Sequence, residues 1–149
     1  MSLDDLYRRV IMDHYQKPRN RGTIEDGAVT VDLNNPTCGD RISLQMRVED
    51  GTIEEAKFLG EGCSISLASA SMMTEAVKGL KVEEALRFVD LFSNMMQGED
   101  VDTDQFPLED IEALQGVAKF PARIKCATLA WKALEKGAEE IDRKTADQS

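Results

Sequence analysis

Apolar residues recur at helical spacing from the start of the chain: Leu3, Leu6, Tyr7, Val10 and Ile11, with His14 on the same stripe. Ser2 stands before them as an N-cap with Asp5 three residues on, and the helix is expected to stop near Lys17-Pro18. Residues 19–27 have the composition of a loop, and the apolar period then changes from that of a helix to that of a strand. A first strand is expected over 28–33, carrying Val29 and Val31 and ended by Asn34-Asn35-Pro36. In the next, Ile42, Leu44, Met46 and Val48 alternate with polar residues. Asp50-Gly51 then supplies the dipeptide that a type I′ hairpin turn requires, and residues 53–59 return as the partner strand.

Beyond Gly60-Glu61-Gly62 the pattern is helical. Residues 64–77 are rich in Ser and Ala, which suits a helix packed closely against its neighbours. Val82, Ala85, Leu86, Val89, Phe92 and Met96 mark another, bounded by Gly79 and Gly98. Leu108, Ile111 and Leu114 predict a short helix ending near Gly116. Pro121 opens a last one with the stripe Ile124, Ala127, Trp131, Leu134, Ala138 and Ile141, and 145–149 read as a frayed tail. This order predicts an α+β fold: a small three-stranded antiparallel sheet with the helices packed to one side. With no internal repeat and no dividing linker, residues 1–149 form a single domain.

Composition narrows the partners. The 149 residues are 42% hydrophobic and 31% charged, those of a globular protein. A net charge of −10 argues against nucleic acid or an anionic membrane surface as the main partner. No apolar run approaches the ~18 residues of a membrane span. The opening Met1-Ser2-Leu3-Asp4-Asp5 is acidic where a secretory leader is basic, which points to the cytoplasm. Thiols stay reduced there, and Cys38, Cys63 and Cys126 are odd in number and widely spaced, so they pose a question of metal or thiol chemistry.

The hairpin answers part of it. A two-residue turn at Asp50-Gly51 sets Val48 against Ile53 and, by the same count, Ile42 against Leu59 and Cys38 against Cys63. Paired residues of a continued ladder lie about 4.5–5.5 Å apart at Cα. Asp40 falls on the same strand face as Cys38, so its carboxylate can converge on the same point. Cys126 sits in the opening turns of the last helix, amid Lys119, Arg123, Lys125 and Lys132, where no acidic residue occurs between Glu112 and Glu135. Basic neighbours and a helix N-terminus favour thiolate over thiol there, and Cys63 also begins a helix. Three thiolates and a carboxylate suit tetrahedral Zn²⁺ and equally an iron-sulfur cluster. The alternative is three buried, inert cysteines.

Asn34-Asn35-Pro36-Thr37-Cys38-Gly39-Asp40, Gly60-Glu61-Gly62-Cys63-Ser64-Ile65-Ser66 and Phe120-Pro121-Ala122-Arg123-Ile124-Lys125-Cys126 together resemble the motifs of the IscU/NifU N-terminal iron-sulfur assembly family, most closely its SufU branch. The resemblance runs from Leu3 into the last helix. It implies a metal site of Cys38, Asp40, Cys63 and Cys126. Two departures from IscU bear on the branch. Lys125 stands where IscU has a histidine before the third cysteine, and an ammonium is no ordinary ligand at neutral pH. Phe120-Pro121-Ala122-Arg123-Ile124 replaces the Leu-Pro-Pro-Val-Lys segment that IscU offers its chaperone. Residues 80–112 correspond to a helical and acidic insertion relative to IscU.

A SufU-like protein is implied to be a zinc-dependent sulfur acceptor, a sulfurtransferase acting with a pyridoxal-phosphate cysteine desulfurase (SufS-like) rather than a stand-alone enzyme. Cys38 is the implied acceptor, and downstream iron-sulfur assembly proteins are the further partners. The alternatives are a scaffold on which a [2Fe-2S] cluster is assembled, with iron or the cluster in place of zinc, and a structural zinc module. Arg123 and Lys125 are read as tuning Cys126 or contacting the desulfurase, against a simple solubilising role. His14 is assigned to packing or a partner, Met72, Met73, Met95 and Met96 to the core, and the acidic run from Glu99 to Glu112 to a solvated face.

Overall fold

In a computed structural model, which describes residues 3–25, 28–35 and 39–147, the alternating segments form an antiparallel sheet of order β1-β2-β3. The strands are β1 Val29–Asn35, β2 Asp40–Glu49 and β3 Thr52–Glu61. Before them comes α1 (Leu3–Gln16), and after them α2 (Ser64–Val77), α3 (Val82–Met96) and α4 (Pro121–Asp147). Two 3-10 segments, Thr103–Gln105 and Glu109–Lys119, lie between α3 and α4. None of the described helices is long and apolar enough to cross a membrane.

The sheet has one buried face. Ile42, Leu44 and Met46 of β2 point into the core, and Asp40 continues the same row. Helix α4 covers β1 and β2 while α2 lies beside β3 and packs on α4. Small residues permit the close approach: Ala68 and Ala70 of α2 and Ala127 and Ala130 of α4 are fully buried. Gly137 of α4 rests against Met46, where any Cβ would collide with the methionine. Phe92 of α3 stacks on Trp131 of α4 with ring centroids 4.4 Å apart and planes 11° from parallel. Met72, Met73, Met95 and Met96 are all buried, as the helical pattern requires.

The hairpin turn is as expected, with positive φ at both Asp50 (52°) and Gly51 (79°), but the register beyond it is not. Glu49 pairs with Thr52 and Val48 with Ile53; a bulge then falls between Arg47 and Val48, so Arg47 pairs with Glu55 and Glu54 is the extra residue. From there Ile42 faces Gly60, not Leu59. The reason is parity. Ile53, Ala56 and Phe58 are all buried, and an unbroken two-residue period would turn Phe58 outward and Leu59 inward. Leu59 is instead 43% exposed. Arg47 lies between the glutamates of the bulge, 3.7 Å from Glu54 and 3.6 Å from Glu55.

Three further differences have local causes. Asn34 and Asn35 are the last residues of β1, paired with Arg41 and Asp40, and not a turn that follows it. The segment starting at Glu109 is 3-10 rather than α and continues past Gly116 to Lys119. Its apolar positions, Leu108, Ile111, Leu114 and Val117, are spaced by three, which aligns them in a helix of three residues per turn. Helix α4 runs past Thr145 to Asp147, while residues 148–149 of the expected tail lie outside the described residues. Of the acidic run, Glu99, Asp100, Asp102 and Asp104 are exposed, whereas Asp110 accepts a 2.8 Å hydrogen bond from Nε2 of the buried His14. The other ring nitrogen, Nδ1, lies 2.8 Å from Ser71 Oγ, which in turn accepts from the Arg19 amide at 2.9 Å. A neutral imidazole satisfies this chain throughout: Nε2–H donates to Asp110, and the Ser71 hydroxyl donates to Nδ1. Ser71 and His14 are both fully buried, so this serine, histidine and aspartate form a brace between α1, α2 and the 3-10 segment rather than a nucleophilic site.

Candidate metal centre

Three elements meet at one end of the sheet: the start of β2, the N-terminus of α2 and the second turn of α4. Asp40 opens β2 on the buried side, Cys63 holds the N-cap position of α2 with extended φ and ψ, and Cys126 follows Pro121 by five residues in α4. One ligand atom from each of Asp40, Cys63 and Cys126 lies within 4.8 Å of the other two. Asp40 and Cys126 are buried, and Cys63 is half-buried.

Asp40 is held by the chain it faces. Its Oδ1 accepts the Cys63 backbone N–H at 2.9 Å, one of the amides left without an intrahelical partner at the head of α2. Gly62 has φ of 146° and passes so close that a Cβ there would run into Oδ1. The other oxygen, Oδ2, is buried and has no hydrogen-bond partner among the described residues. A buried carboxylate oxygen without a donor is costly unless a cation neutralises it.

The donor set fits zinc. Ligand atoms about 2.3 Å from a tetrahedral ion lie ~3.8 Å from one another, so three atoms already within 4.8 Å need only small side-chain adjustments to close on one. Zn²⁺ would be held here by the Asp40 oxygen and the two sulfurs, with Cys38 as the expected fourth ligand. Cys38, and with it the expected pairing of Cys38 with Cys63, lies outside the described residues. The ends of its connection are fixed: the Gly39 amide donates to the Asn35 carbonyl at 2.8 Å, and Asn35 pairs with Asp40. Arg123 and Lys125 are exposed on the first turns of α4 beside the buried Cys126, and Lys119 is exposed just ahead of the helix. The acid-free stretch is therefore a basic rim at the protein surface.

Sequence reasoning missed the groups that hold α2 and α4 together beside the thiols. Ser69 of α2 donates to the Ala127 carbonyl of α4 at 2.6 Å and accepts the Trp131 indole N–H at 3.0 Å, all of it buried. The only available signal was a polar residue within a helix otherwise suited to close packing.

The family model for the NifU-like N-terminal domain matches residues 6–127. The chain belongs to this family. Within it, the chain is 65% identical over 136 residues to the zinc-dependent sulfurtransferase SufU of Bacillus subtilis, covering 91% of each. It is 52% identical over 133 residues to the iron-sulfur cluster assembly scaffold protein IscU of Streptococcus pyogenes, covering 89% of this chain and 82% of that one. Among solved structures it is similar to an iron-sulfur cluster assembly scaffold protein for the SUF system from Fervidobacterium islandicum, with 34% identity and a TM-score of 0.81 over 87% of this chain and 93% of that one. The expected α+β architecture is thus that of the NifU-like family.

Proposed function

We propose that this protein is a zinc-dependent sulfur acceptor that takes persulfide sulfur from a pyridoxal-phosphate cysteine desulfurase, SufS-like in kind, and passes it toward iron-sulfur cluster assembly in the cytoplasm. The observation that carries this reading is the convergence of the Asp40, Cys63 and Cys126 ligand atoms within 4.8 Å, with Asp40 Oδ2 buried and without a hydrogen-bond partner among the described residues. When bound, Zn²⁺ supplies charge that keeps cysteine sulfurs deprotonated and joins three elements of the fold. Cys38 is the proposed acceptor. Its thiolate attacks the outer sulfur of the desulfurase persulfide; the donor's S–S bond breaks, a new S–S bond forms on Cys38, and the donor cysteine leaves as a thiolate. No external oxidant is needed. Cys63 and Cys126 are carried by helices and serve as fixed ligands, while Arg123 and Lys125 on the exposed rim contact the desulfurase.

In this reading residues 80–112 are the helical and acidic segment of the domain. Its helix α3 contributes Ala85, Phe92 and Met95 to the core, so the segment is built into the domain. The similarity to a protein named as a scaffold supports a second reading, assembly of a [2Fe-2S] cluster on the same thiols. Incubation with desulfurase and cysteine, followed by mass spectrometry of intact protein and peptides, separates the two. Sulfur acceptance predicts stoichiometric zinc in the purified protein and an added sulfur on Cys38 that Cys38→Ala abolishes. A stable, transferable cluster with no sulfur on Cys38 would favour the scaffold, and zinc-dependent folding without either would leave only a structural zinc module.

A further inference from the structure

We infer that Ser69 is a positioning residue for the metal centre, fixing the roll of α4 against α2 so that Cys126 meets Cys63 and Asp40. This rests on the metal-binding reading above and concerns a residue outside the ligand set. The two helices that carry the thiols pack directly on one another, with Ala68, Ala70, Ala127 and Ala130 fully buried, and packing of such small side chains is close but non-directional. Alanine surfaces alone leave rotation about the helix axis weakly determined. Rolling a helix by ~10° carries an atom ~5 Å from its axis through ~0.9 Å. Metal-ligand distances tolerate only about 0.2 Å.

Two buried hydrogen bonds between these helices converge on Ser69. Its hydroxyl donates to the carbonyl of Ala127, the residue next to Cys126, at 2.6 Å, and accepts from Trp131 Nε1 at 3.0 Å. Ala127 and Trp131 are one helical turn apart on α4, so Ser69 grips that helix at two points on one face. Stacking on Phe92 holds the indole plane, which fixes the direction of the N–H. Ser69, Ala127 and Trp131 are buried, so water cannot stand in for a lost partner without opening the interface.

The test is zinc affinity by chelator competition, with the visible spectrum of the Co²⁺-substituted protein, for wild type, Ser69→Ala, Trp131→Phe and Asp40→Ala. Positioning predicts zinc binding weakened about 10–100-fold in Ser69→Ala, as for groups that orient metal ligands elsewhere. It also predicts an altered Co²⁺ ligand-field band and a change of the same sign in Trp131→Phe, which supplies the test by itself if Ser69→Ala does not fold. A merely structural serine would lower the melting temperature equally with and without metal and leave affinity and spectrum unchanged; that result overturns the inference. Wild type that binds no zinc, or Asp40→Ala that binds it as well as wild type, overturns the metal reading itself and the inference with it.

Discussion

Gly62 shows how narrowly one position is specified. It stands where the backbone passes Asp40 with φ of 146°, and a side chain there would both strain the chain and push the carboxylate away. Gly62→Ala is expected to lower stability by ~1–3 kcal/mol and to weaken zinc binding, measured by thermal melts of the metal-free protein and by chelator competition. A zinc affinity equal to wild type would show that Asp40 does not depend on this contact. Asp40, Cys63 and Cys126 were legible as candidate ligands because each stands in a distinctive motif. Ser69 and His14 were not. Each takes its meaning from partners far along the chain: Ala127 and Trp131 for Ser69, Ser71 and Asp110 for His14. Nothing within a helical window encodes such a pairing.

Among the elements, α2 and α3 matched the limits expected from their patterns because Gly62, Gly79 and Gly98 punctuate the chain around them and apolar spacing is regular within. The 3-10 segment was misjudged because three apolar positions do not distinguish a period of 3 from 3.6; only Val117, past the glycine, resolves it. This segment leads into α4, and the His14–Asp110 bond ties it to α1. His14→Ala would leave the Ser71 hydroxyl and the Asp110 carboxylate without their shared partner. The expected loss is ~1–3 kcal/mol in urea unfolding, with faster amide hydrogen exchange across Glu109–Lys119. Unchanged exchange in that segment would mean that the apolar row from Leu108 to Val117 holds it alone.

For the whole molecule, the centre joins the sheet, α2 and α4, parts that are otherwise linked by packing and a few hydrogen bonds. A ligand bound only by the folded state stabilises it by about 2.7 kcal/mol at a hundredfold excess over its dissociation constant. Stripping metal with a chelator should therefore lower the melting temperature by several degrees, and zinc should restore it; a chelator-insensitive melt would count against a bound ion. The overall architecture was readable because strand and helix periods differ clearly along the chain, whereas the register was not, since the doublet Glu54-Glu55 gives no hint of which residue is surplus. The bulge then makes the length of β3 unequally editable. Removing Glu54 turns the irregular hairpin into a regular one with every pair from Arg47–Glu55 to Arg41–Glu61 intact, so Gly62 and Cys63 keep their places beside Asp40. Removing Lys57 instead shifts Phe58 to Glu61 by one step or, when the bulge closes to absorb the loss, turns Glu55 inward and Ala56 outward. The Glu54 deletion should fold and bind zinc as wild type does, while the Lys57 deletion should do neither, so between the turn and its second cysteine this chain has a single residue to spare.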